Sequence, residues 1–131
     1  MILYFAADLL WATRIKATAD DLDISCRPVR TSEMLDARLA DSKPTALVLD
    51  LETGESGIDL LRHLRMREVE RGDTTRIRVV AFGPHVRTDL IDAARGAGAD
   101  EVFARGAFDR RLPEVLRMLA QLRHDRDPSG I

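Results

Sequence analysis

The stretch Thr45-Ala-Leu-Val-Leu-Asp-Leu-Glu-Thr-Gly-Glu-Ser-Gly-Ile-Asp-Leu-Leu61 decides the fold. An apolar run, Ala46 to Leu49, stops at one carboxylate, Asp50. Gly54 and Gly57 mark a loop, and a helical pattern starts at Ile58. A short apolar run without alternation fits a strand covered on both faces, as in a parallel sheet. In open sheets of that kind, sites form at the carboxyl ends of the strands. Asp50 therefore reads as an acid delivered to a sheet rim.

Working outward, the same unit recurs on both sides. Residues 2–7 are apolar throughout and read as a first strand, with Asp8 as the cap of a helix reaching about residue 22. Trp11, Ile15, Ala19 and Leu22 recur at helical spacing and form its expected inner face. Residues 23–30 make a weak polar strand, and Pro28, which cannot donate to a ladder, places it at an edge. Ser32 is the expected cap of a second helix, with Leu35 and Leu39 inward and Asp36 and Arg38 outward. The third helix is expected over 57–71, with Ile58, Leu61, Leu64 and Val69 inward. Its outer face carries Arg62, Arg65, Arg67, Glu68 and Arg71, and the interleaved acids suit a solvated surface.

A loop follows at 72–76 and a strand at 77–82, stopped by Gly83-Pro84. The fourth helix, 87–97, turns Leu90, Ile91 and Ala94 inward and ends at glycines 96 and 98. A short strand at 101–104 precedes a last helix from about 109 to 123, striped by Leu112, Val115, Leu116, Leu119 and Leu122. Residues 124–131 read as a flexible tail, leaving one domain over 1–123. Five strands in strict alternation with five helices specify an α/β fold, a doubly wound parallel sheet with helices on both faces.

Bulk properties narrow the function. The 131 residues carry 20 Lys+Arg against 22 Asp+Glu, a net charge of -2. That balance does not point to nucleic acid as a partner. No run reaches the roughly 20 apolar residues of a membrane span, and residues 2–6, with no preceding basic residue and with Asp8 after them, are not a signal peptide. Cys26 is the only cysteine, so no intrachain disulfide forms, and a reducing cytoplasmic setting is expected. Three scattered histidines, His63, His85 and His124, and one cysteine assemble no nucleophile–base set, so no enzyme and no protein-held metal are expected.

With these elements placed, the chain resembles the receiver domains of two-component response regulators. The resemblance lies in Ala46-Leu-Val-Leu-Asp50, Gly57-Ile-Asp-Leu-Leu61, Arg78-Val-Val-Ala-Phe82 and Asp92-Ala-Ala-Arg-Gly-Ala-Gly-Ala-Asp-Glu-Val-Phe103. It implies a flavodoxin-like five-stranded sheet of order 2-1-3-4-5 and a signalling role. In the family, an aspartate ending the third strand accepts a phosphoryl group from a histidine kinase. An acidic pair after the first strand holds the divalent cation, a lysine ending the fifth strand reads the acyl phosphate, and a hydroxyl ending the fourth strand relays the event.

Matched position by position, Asp50 falls on the phosphoacceptor. The acidic pair falls on Ala6 and Ala7, the hydroxyl on Gly83, the lysine on Arg105 and its following proline on Gly106. The aromatic switch of the last strand falls on Val102. Mg2+ binding is therefore not expected, and Asp50 reads as a vestigial position, a sheet-end carboxylate held by Arg105 or by backbone N–H groups. The expected action is contact with a protein partner, or self-association, through the last two helices and the last strand. Two rivals stay open: a divergent receiver still phosphorylated on Asp50 by a histidine kinase, and a small flavodoxin-like nucleotide- or flavin-binding module. The latter would want a phosphate cradle after the first strand, where the chain has Ala6-Ala-Asp-Leu-Leu10 and no glycine-rich phosphate-binding pattern appears anywhere.

Overall fold

The computed structural model describes residues 1–6, 8–53, 55–72, 76–84 and 86–125. In chain order the elements are β1 (Ile2–Phe5), α1 (Leu9–Asp21), β2 (Cys26–Pro28), α2 (Ser32–Asp41), β3 (Ala46–Asp50), a 3-10 turn (Leu51–Thr53), α3 (Glu55–Arg71), β4 (Arg78–Gly83), α4 (Thr88–Ala97), β5 (Glu101–Ala104) and α5 (Arg105–Asp125). The five strands form one sheet of order β2-β1-β3-β4-β5, and every pairing is parallel. The flavodoxin-like order that the resemblance implies is the order found, and β2 lies at the edge where Pro28 was expected to place it.

Two apolar layers sandwich the sheet. On one face Leu3, Phe5, Leu47, Leu49, Val79 and Ala81 meet Leu35 and Leu39 of α2, Leu61 and Leu64 of α3, and Ala94 of α4. On the other, Ile2, Tyr4, Val48, Val80 and Phe82 meet Trp11 and Ile15 of α1 and Phe108, Leu112 and Leu116 of α5. Alternate residues of one strand thus serve opposite cores, which is why the strand sequences show no polar alternation.

Several local expectations are corrected. Thr31, not Ser32, caps α2: its side chain accepts from the Met34 N–H at 3.1 Å. Val69 is 81% exposed and does not join the inner face of α3. Arg65 and Glu68, expected outside, are tucked in, with side chains only 16% and 11% exposed. The Arg65 guanidinium bonds Glu68, Asp100 and the carbonyls of Ile77 and Gly98, tying α3 to the starts of β4 and β5. Gly98, at φ 112°, caps α4, and a Cβ there would stand 2.9 Å from Arg65 Nε. Nor is Asp36 simply solvated. It accepts Arg67 and lies 2.8 Å from His63 Nε2, a partner for that histidine that spacing did not reveal.

The largest shift is in α5, which begins at Arg105, directly after β5, with Pro113 inside it. A proline deprives the carbonyl four residues earlier of its helical donor. That carbonyl belongs to Asp109, and Arg14 of α1 donates to it at 3.2 Å while pairing with the Asp109 carboxylate at 2.6 Å. The helix therefore tolerates its proline through a neighbouring helix. α5 also runs to Asp125, so its last two residues fall where the tail was expected. The remainder of the expected tail, 126–131, lies outside the described residues, as do Ala7, Gly54, His85 and most of the 72–76 loop.

Candidate functional site

The parallel sheet brings Ala6, Asp50, Gly83 and Arg105 to its carboxyl rim, as the sequence order requires. Ala7 and His85 lie outside the described residues. Asp50, last residue of β3, is completely buried and is the buried charged side chain among the described residues. Its register partner in β4 is Phe82, so both side chains project from the same face of the sheet. There Phe82 stacks on Phe108 of α5 (centroids 4.3 Å apart, rings within 2° of parallel), and Trp11 of α1 leans on both. Trp11, expected on the inner face of the first helix, thus joins a cluster of rings on the face that Asp50 shares with Phe82.

Asp50 Oδ1 accepts the Glu52 N–H at 2.9 Å, a tight local turn made by the 3-10 segment. Burial pushes the Asp50 carboxyl up from the ordinary 3.8 to about 6; the charge of Arg105 opposes the shift and that of Asp8 adds to it. The Asp8 side chain itself caps α1, accepting the Leu10 N–H at 2.8 Å.

Gly83 is explained by its neighbour. Leu51, fully buried, fills the space beside it, and a Cβ on Gly83 would stand 3.0 Å from Leu51 Cβ. Arg105, in the first turn of α5, forms an ion pair with the Glu52 carboxylate. Sequence reasoning assigned no role to Glu52 or Leu51. The signal for both was proximity, one and two residues past the acid, but their directions depend on the 3-10 turn. Val102 is half-buried and packs against the core shared by α2, α3 and α4.

Beyond the rim, Cys26 is buried on β2 and its thiol is pushed up to about 12 by burial, a packing residue in character. Arg67 and His63 hold the Asp36 carboxyl below its ordinary value, chiefly through the His63 hydrogen bond. Two open clefts of about 340 and 350 Å3 lie along α2 and α3, and neither is lined by Asp50 or Arg105. Among the described residues no group of three or more His, Cys, Asp and Glu side chains could hold a metal ion. Within the same residues no helix is long and apolar enough to cross a membrane.

No family model matches the chain. Solved structures do. The receiver domain of NtrX from Brucella abortus matches with a TM-score of 0.73 at 18% identity, over 92% of this chain and 98% of that one. The signal receiver domain of a signal transduction histidine kinase from Syntrophus aciditrophicus matches at 0.71 and 19% identity, over 92% and 89%. A response regulator from Thermotoga maritima matches at 0.67 and 18%, over 92% and 96%. At these identities the likeness establishes the receiver fold. One curated relative, the molybdenum import ATP-binding protein ModC 1 of Bradyrhizobium diazoefficiens, is 38% identical over 65 residues, 44% of this chain. The chain spans only 18% of that protein's length.

Proposed function

We propose that the chain is a receiver-like signalling domain that acts through protein contact, with phosphorylation of Asp50 lost or weakened. The observation that carries this reading is the altered chemistry of the rim around a well-kept scaffold. Mg2+ takes a near-octahedral set of oxygens, usually one or two carboxylates together with phosphate. Residues 6 and 7 offer only methyl groups. Asp8 already uses one oxygen to cap α1, and Asp50 is sealed beside aromatic rings. These residues do not fit the cation, and no phosphoryl step is assigned to them. Without the cation, bringing a phosphoryl group to a carboxylate meets like-charge repulsion that positioning alone does not offset. Gly83 has no hydroxyl to follow a phosphate, and its lack of a side chain serves the packing of Leu51 instead.

The contact surface of this reading is α4, β5 and α5, facing a protein partner or a second copy. A cytoplasmic setting follows from the same role. No reaction is assigned to the chain, and the ATP-binding role named for the ModC relative is not carried over, because the chain lacks a glycine-rich phosphate loop. Incubation with Mg2+ and a small-molecule phosphodonor, followed by intact mass, tests the reading: the mass should stay unchanged. Stoichiometric phosphate on Asp50 would favour the divergent, phosphorylatable receiver. Such a receiver would also change its Trp11 emission with millimolar Mg2+, since that ring packs on Phe82 beside the acid.

A further inference from the structure

The segment that follows β3 is pinned in three directions at once. Leu51 is buried beside Gly83 of β4, where a Cβ on the glycine would stand 3.0 Å from Leu51 Cβ. The Glu52 N–H is bound by the Asp50 side chain. The Glu52 carboxylate is bound by Arg105, the first residue of α5. Asp50, which accepts that N–H and is the register partner of Phe82, has no exposed surface. Yet the Glu52–Arg105 pair is itself partly open to solvent, with side chains 32% and 40% exposed. A pair so placed can be broken without disturbing either apolar core.

We propose that residues 51–53 form a strap over Asp50, and that the Glu52–Arg105 pair is its clasp, holding the turn after β3 to the start of α5. The proposal rests on the reading of Asp50 as unmodified. It adds the device by which such a rim would switch: opening the clasp, rather than adding a phosphate, exposes the acid and frees the first turn of α5. Because α5 belongs to the proposed contact surface, a partner that displaces Arg105 from Glu52 and an open strap favour one another by linkage. In that arrangement Glu52 supplies Arg105 with the internal anion that a phosphorylated aspartate would otherwise provide.

Arg105→Gln separates the strap from simple electrostatics. The groups whose charges act on Asp50 are Arg105 on α5, which lowers its carboxyl, and Asp8 before α1, which raises it. If Arg105 contributes only its charge, its removal leaves the turn closed and raises the Asp50 titration midpoint above about 6. If it is the clasp, its removal admits water, and the midpoint falls toward the ordinary aspartate range. Two measurements on the full chain by NMR decide the matter: the carboxyl midpoint of Asp50, and amide exchange at residues 51–53. The strap predicts a lowered midpoint and exchange about tenfold faster there, with β1 unchanged, as for a local opening. Glu52→Gln should accelerate exchange to the same degree, and the double variant no further. A raised midpoint, or unchanged exchange in both single variants, overturns the strap. Phosphate on the wild-type domain would instead overturn the reading on which it rests, so the two failures are distinguishable.

Discussion

Asp50 is the buried charged side chain among the described residues, and its burial sets the sign of a pH effect. A carboxyl raised from 3.8 to about 6 holds more protons in the folded state than in the unfolded state between those values. Its contribution to stability is therefore full below the unfolded value and is lost as the pH rises through the folded one. Asp50→Asn keeps an oxygen for the Glu52 N–H and removes the charge. It should be more stable than the wild type by roughly 1–3 kcal/mol at about pH 7.5, with the gap narrowing toward about pH 4.5, in urea titrations of both proteins. A gap that stays constant with pH would show that Asp50 is not the source. Gly83 gives a second residue-level prediction. Its Cβ position lies 3.0 Å from Leu51 Cβ, so Gly83→Ala should cost about 1–2 kcal/mol by overpacking, read as a lower urea midpoint at constant slope. Gly83→Thr should cost more while conferring no response to a phosphodonor. Asp50 was legible at the rim because strand ends define the rim of a parallel sheet, while Gly83 and Arg105 were singled out through the family resemblance. The Leu51–Gly83 contact and the Glu52–Arg105 pair were not, because they depend on the path of a three-residue turn that no periodicity encodes.

At the scale of elements, the sequence was most legible where apolar spacing is regular and least where polar groups reach across. The five strands and five helices follow from runs and stripes, and β5 was placed residue for residue. The last helix was expected from about residue 109 but starts at Arg105, which places Pro113 deep inside it, where Arg14 of α1 donates to the carbonyl the proline leaves unpaired. The outer face of α3 was misread for a related reason. A charged stripe cannot say which of its arginines folds back. Arg65 does, and it holds together α3, the start of β4 and the turn before β5 through Glu68, Asp100 and two carbonyls. Arg65→Ala would leave Glu68 and Asp100 half-buried with diminished charge compensation; Arg76 still pairs with Asp100 at 2.8 Å. With that relief the loss should be about 2 kcal/mol, less than for a buried pair broken with no other partner. Arg67→Ala, on the exposed seam with α2, should shift the urea midpoint much less. Equal shifts for the two variants would refute the distinction drawn between a junction and a surface pair.

At the scale of the molecule, one sheet serves two cores, and this sets how the protein must come apart. β1, β3 and β4 each send alternate side chains to opposite faces: Leu3 and Phe5 against Ile2 and Tyr4, Leu47 and Leu49 against Val48, Val79 and Ala81 against Val80 and Phe82. Removing α1 and α5 would strip one face of the same strands whose other face supports α2, α3 and α4. Neither half-core is a separable unit, so a single cooperative transition is expected, as for most domains of this size. The chain carries its own probe of that claim. Trp11, the sole tryptophan, packs against Phe82 and Phe108 on the α1–α5 side only, while far-UV circular dichroism reports helices on both sides. Urea curves from Trp11 emission and from circular dichroism should superimpose, with one midpoint and one slope. A Trp11 transition that precedes the loss of helix would mean that the α1–α5 layer detaches first, and that the shared sheet does not couple the two cores.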